Sequence, residues 1–135
     1  MKPISGAKKL PLVARFLNTP QLGPLYFYDF APYKDTLSDA FKDMICSAGA
    51  WNHSYMNCWS QYNVIPHLPA VTVPTLIVSG AHDWITPTKE GGQRIHDALP
   101  NSEYVVFEKS GHYPYIEENT RFFQILREWL AKQVG

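Results

Sequence analysis

Cysteine is scarce in this chain: two in 135 residues, Cys46 and Cys58, and they do not form a C-x-x-C pair. That excludes a disulfide-stapled secreted scaffold. Both lie in apolar-rich stretches and are expected to be reduced and buried. An excess of one charge is also lacking, since 12 Lys+Arg balance 12 Asp+Glu. A basic footprint for nucleic acid is therefore absent. No apolar run approaches the roughly 20 residues that span a bilayer, and the short stretch 10–13 is cut off by Arg15 with no small-residue cleavage pattern after it. These absences predict a cytoplasmic chain without nucleic-acid or membrane partners. His53, His67, His82 and His96 show no ligand-like spacing with Cys or acidic groups, so no metal and no other cofactor is expected.

Apolar side chains, in contrast, are plentiful: 45% of residues are hydrophobic and 14% aromatic, while 18% are charged. A chain of this composition is globular rather than disordered. From Val73 onward the pattern is regular. Residues 75–79, Thr-Leu-Ile-Val-Ser, form a short β-branched run that stops at Gly80, as a strand buried on both faces does. Thr86 and Pro87 then read as a cap and a first helical position, opening a helix over 90–99 that Pro100 ends. Gly91 and Gly92 weaken that helix by about 1 kcal/mol each relative to alanine, so it must lean on packing. A second strand is expected over 104–108, and Phe122, Ile125, Leu126, Trp129 and Leu130 place one apolar stripe on a final helix.

Strand, helix, strand, helix describes a parallel βαβα unit. A two-stranded parallel sheet leaves open edges and too little area to bury both faces, so further strands are required. The first 70 residues do not obviously supply them. Leu37, Phe41, Met44 and Ile45 have helical spacing within 36–47, and Tyr55, Trp59 and Tyr62 mark another helix. Between Pro20 and Tyr33 lies an aromatic, proline-containing loop, in which 26–30 offers one short strand as an alternative. Neither an internal repeat nor a low-complexity tract is present.

The chemistry-bearing positions lie just past the two strands. Asp83 stands in Gly80-Ala81-His82-Asp83-Trp84, and His112 in Ser110-Gly111-His112-Tyr113-Pro114. In an open α/β sheet both loops leave the carboxyl ends of parallel strands, where ligands and catalytic groups gather. A carboxylate beside an imidazole has a definite use: it fixes the tautomer and stabilises the imidazolium formed when histidine takes a proton. Gly111 suits a sharp turn before the histidine. Taken singly, an Asp after a strand is ordinarily a turn or cap residue, and a lone His a surface or core residue. Their equivalent placement on adjacent strands is what favours a paired role.

The words Val-Pro-Thr-Leu-Ile-Val-Ser-Gly-Ala-His-Asp-Trp-Ile-Thr-Pro at 73–87, Leu-Pro-Asn-Ser at 99–102, Phe-Glu-Lys-Ser-Gly-His at 107–112 and Glu117-Glu118 resemble the C-terminal part of α/β-hydrolase-fold enzymes, most of all the proline iminopeptidase-like branch. The resemblance covers about 62–130. It implies that Asp83 is the acid and His112 the histidine of a Ser-His-Asp triad, and their 29-residue separation suits the family. It implies the fold class as well: α/β, the C-terminal portion of an α/β-hydrolase core over 71–135, preceded by a helical cap over 1–70.

The G-x-S-x-G elbow that carries the nucleophile in this family is absent from the sequence. Ser47, Ser79 and Ser110 lack a glycine two residues before them. The expectation is accordingly a cap plus the last two strands of a larger hydrolase, inactive alone, whose partner is the N-terminal half of the core and whose substrate is a small molecule or short peptide. Trp51, Tyr55, Trp59 and Trp84 are the candidate substrate-binding residues. Proline-releasing members hold the substrate's amino group with acidic cap residues, often a Glu beside a Trp; here Asn52 follows Trp51 and Ser60 follows Trp59, a departure from that pattern. Asp29, Asp35, Asp39 and Asp43 are the other acids available, although Asp39 and Asp43 at i, i+4 suit a solvated helix face. The aromatic set Tyr26, Phe27, Tyr28, Phe30, Trp51, Tyr55, Trp59 and Tyr62 suits either an apolar pocket wall or packing within the cap. Two other readings stay open: a non-catalytic interaction module using the exposed strand edge, and a hydrolase acting on carbon–carbon, epoxide or lactone substrates.

Overall fold

A computed structural model describes residues 23–35, 47, 53–54, 56–59 and 62–134. Its centre is a parallel pair, β1 (Thr75–Gly80) and β2 (Ser102–Phe107), in register from Thr75 opposite Ser102 to Gly80 opposite Phe107. The crossover between them contains a wide turn at Lys89–Gln93 and a helix α1 (Arg94–Ala98). After β2 come the one-turn α2 (Pro114–Glu117) and the long α3 (Asn119–Val134). The βαβα order read from the sequence is present.

The crossover differs from the continuous helix expected over 90–99. The Gln93 amide reaches back five residues to the Thr88 carbonyl at 2.8 Å, so the turn is widened where Gly91 and Gly92 hold the helix least firmly. Thr86 does not cap it either, because its hydroxyl is committed to Asp83 at 2.6 Å. β2 also begins two residues earlier than expected, at Ser102, and Glu108 lies beyond it. The Ser102 hydroxyl donates to the Leu99 carbonyl at 3.2 Å and meets His96 Nδ1 at 2.8 Å, joining the end of α1 to the start of the strand.

Segment 26–30 is not a strand. Gly23–Tyr26 is a 3-10 turn, and the Tyr28 and Asp29 amides go to the Glu117 carboxylate rather than to a ladder. Proline at position 24 and these outside acceptors decide its shape. Phe27, almost fully buried, packs on Phe30, Tyr33 and Tyr113. The other expectations about the first 70 residues fall largely outside the described residues, including the helix over 36–47, Cys46, Trp51 and Tyr55. Residues 53–54 and 56–57 are helical, but Trp59 and Tyr62 lie in the turn that follows. Cys58 is exposed rather than buried, because that helical stretch has no buried residue among those described.

Phe107 and Ser110 are fully buried, joined by Leu99 and Phe27. The Arg121 guanidinium lies over the Phe107 ring at 4.7 Å. Leu76, Ile77 and Val78 are only half-buried, and on α3 Phe123 and Leu130 stay exposed. The apolar surface of the sheet thus exceeds what the described elements cover, the condition anticipated for a two-stranded parallel sheet.

Candidate active site

The loops leaving β1 and β2 are tied to each other before either side chain is considered. The Ala81 amide donates to the Phe107 carbonyl at 2.9 Å, and the His82 amide to the Ser110 carbonyl at 3.0 Å. These bonds prolong the parallel pairing past the strand ends and bring the acid turn against the histidine turn. Asp83 Oδ1 then accepts from the Ile85 and Thr86 amides at 2.8 and 3.0 Å, the local side-chain-to-backbone pattern that aspartate favours after a strand. Oδ2 faces the other way. It accepts the Thr86 hydroxyl at 2.6 Å and His112 Nδ1–H at 2.8 Å.

Asp83 is buried, with its side chain 5% exposed against 32% for His112. Burial pushes its carboxyl up, but the hydrogen bonds from the Thr86 hydroxyl and amide, from His112 and from the Ile85 amide outweigh it, holding the group below the ordinary carboxylate value. An ionised carboxylate only accepts, so the shared proton sits on Nδ1 and the Nε2 lone pair is left to act as a base.

His112 is itself held from several sides. Its amide donates to the Tyr26 carbonyl at 2.7 Å. The rings of Tyr26 and Tyr113 meet the imidazole edge-on at 5.7 and 5.2 Å between centroids. Burial, reinforced by Tyr115, Tyr26 and Asp83 nearby, pushes the Tyr113 hydroxyl up to about 12. A neutral phenol therefore lines this side of the histidine at all ordinary pH. Gly111 serves a close approach rather than an unusual backbone angle: a Cβ there would come within 2.7 Å of the Phe27 Cα.

Of the residues singled out from the sequence, the structure brings together Asp83 and His112. Trp84 follows the acid but is 74% exposed, and Trp59 is 56% exposed. Trp51, Tyr55, Asp39 and Asp43 lie outside the described residues, and Asp29 and Asp35 are exposed. Among the described residues no group of three His, Cys, Asp or Glu is arranged to hold a metal ion, and no helix is long and apolar enough to cross a membrane. Thr86 and Glu117 belong to the site as well. In the sequence the threonine reads as a helix cap, and nothing in the spacing of Glu117 points to backbone donors 88 and 89 residues earlier.

A strand–turn acid bonded to a strand–turn histidine at the carboxyl end of a parallel sheet defines a class. The sequence profile of the alpha/beta hydrolase fold matches residues 6–119, and the chain belongs to that family. The particular kinship is proline iminopeptidase-like. The chain is 30% identical over 94 residues to a proline iminopeptidase of Clostridium botulinum, covering 62% of this chain and 31% of that protein. It is 37% identical over 71 residues to the proline iminopeptidase of Clostridioides difficile, covering 53% and 24%. The chain thus spans less than a third of the length of these curated relatives. Among solved structures it is similar in fold to an esterase from Exiguobacterium antarcticum, with a TM-score of 0.67 at 24% identity over 81% of this chain and 40% of that one.

Proposed function

We propose that this chain supplies the acid and the general base of a serine-type, proline iminopeptidase-like α/β-hydrolase that cleaves a peptide or ester bond in a small molecule or short peptide. The observation that carries this reading is the 2.8 Å bond from His112 Nδ1–H to the buried Asp83 carboxylate, with the imidazole still partly open to solvent. His112 Nε2 takes the proton of a serine hydroxyl as that oxygen attacks the carbonyl carbon, then returns it to the departing amine or alkoxide. Asp83 stays ionised throughout, keeping the ring in one tautomer and offsetting the imidazolium charge. The serine and the oxyanion donors belong to a polypeptide segment other than these 135 residues, which hold no G-x-S-x-G. Residues 1–70 act as the cap over the site. Trp51, Tyr55, Trp59 and Trp84 are the residues proposed to meet the substrate.

The test is complementation. The chain is combined with the N-terminal half of a proline iminopeptidase carrying the serine elbow, and hydrolysis of a prolyl arylamide and of an aryl ester is followed. Recovered activity should fall about 10⁴-fold in Asp83→Asn and about 10⁶-fold in His112→Ala. Recovered hydrolysis that neither substitution slows would refute the assignment.

A further inference from the structure

Glu117 takes no part in proton transfer, yet its carboxylate closes a ring of hydrogen bonds around the histidine turn. Oε1 accepts the Tyr28 amide at 2.8 Å and the Asp29 amide at 3.2 Å. Oε2 accepts the Gly111 amide at 2.6 Å. The ring is completed by the His112 amide, which donates to the Tyr26 carbonyl at 2.7 Å. Segment 26–29 and turn 111–112 therefore clasp each other at two points, and one carboxylate supplies three of the four bonds. Next to it, Glu118 Oε2 takes the Lys109 amide at 2.8 Å and the Ser110 hydroxyl at 2.9 Å. That second clip holds 109–110, and the bond to Glu117 holds the next amide, that of Gly111, directly before His112.

The consequence reaches the imidazole through the backbone. A histidine side chain has two torsions, so once the Gly111 and His112 amides are fixed, few positions remain for the ring. One of them places Nδ1 at 2.8 Å from Asp83 Oδ2, with Tyr26 and Tyr113 bracing the ring edges. We propose that Glu117 is a positioning residue for His112: by holding the Gly111 amide and the 28–29 amides on one carboxylate, it sets the imidazole in the orientation and tautomer that Asp83 accepts. This rests on the acid–base reading of Asp83 and His112.

A glutamine in its place has the same shape but cannot satisfy both sides. Its oxygen can accept from one side only, and its amide group then confronts the donors of the other. The experiment uses the 135-residue chain with ¹⁵N-labelled histidine and reads the ring-nitrogen shifts of neutral His112, which report the tautomer without any catalysis. The wild-type ring should be Nδ1–H. Glu117→Gln should lower the Nδ1–H to Nε2–H ratio about tenfold, the change that the loss of one hydrogen bond to a charged group brings. Glu103→Gln, which removes an exposed carboxylate paired with Lys132, should leave the ratio as it is. Should Glu117→Gln unfold the chain, Glu117→Asp, shorter by one methylene and still charged, carries the same readout. An unchanged tautomer in the folded variant overturns the positioning role and leaves the acid–base pair standing. A wild-type His112 in the Nε2–H form overturns both.

Discussion

Gly80, at the end of β1, packs directly against the backbone of the histidine turn, and Gly80→Ala should separate the acid turn from it. A Cβ at this buried position would strike the Gly111 carbonyl oxygen and the Ser110 carbonyl group, lying 2.7 Å from the Ser110 carbonyl carbon. These neighbours are backbone, not the pliant end of a side chain. Relief requires the two loops to part by roughly 1 Å, more than a closely packed interior absorbs freely, and such overpacking costs about 1–3 kcal/mol. The same displacement would stretch the 2.8 Å bond from His112 to Asp83 beyond hydrogen-bonding range, removing a further bond to a charged group worth about 1.5–3 kcal/mol. Together the two effects should destabilise the chain by roughly 2.5–6 kcal/mol, a large part of the stability of an ordinary domain. Urea unfolding at neutral pH measures the loss. Gly91→Ala is the matched contrast, since its Cβ would approach nothing closer than 3.5 Å and alanine regains up to about 1 kcal/mol of helix propensity. A Gly80→Ala chain within about 0.5 kcal/mol of wild type, the range of an inconsequential surface change, would refute the steric argument.

Thr86→Val removes the hydroxyl at 2.6 Å from Asp83 Oδ2. It should destabilise by about 1 kcal/mol and raise the Asp83 titration, since that bond is one of those holding it down, read from carboxyl carbon shifts against pH. The depressed Asp83 carboxyl gives stability that is present above the unfolded value near 4 and lost as pH falls through the folded value, so acid unfolding should be shallower in Thr86→Val. Tyr113 has the opposite sign. Its folded value of about 12 gives stability that is full below the unfolded value near 10 and lost between about 10 and 12, on the order of 2 kcal/mol. Tyr113→Phe should abolish that alkaline loss, measured by denaturation midpoints across the range.

The βαβα order is legible in the residue pattern alone. Runs of β-branched residues at 75–79, apolar spacing of three and four along 122–130, and glycine or proline at the breaks are local properties, and local properties select strand, helix and turn. The same pattern also marks Asp83 and His112, because a parallel unit sends the ends of adjacent strands to one edge. What holds that pair is settled by contacts distant in the chain. Thr86 reads as a cap in sequence, yet its hydroxyl serves a carboxylate that the strand end places within 2.6 Å. Segment 26–30 offers a short strand by its aromatics, but its amides are claimed by Glu117 from 88 and 89 residues away. Long-range acceptors of this kind leave no periodic trace, since any carboxylate at the right distance satisfies an amide. The same holds for the widened turn at Lys89–Gln93: two glycines announce a weak helix, but which hydrogen bonds replace the lost ones depends on the strands it must span.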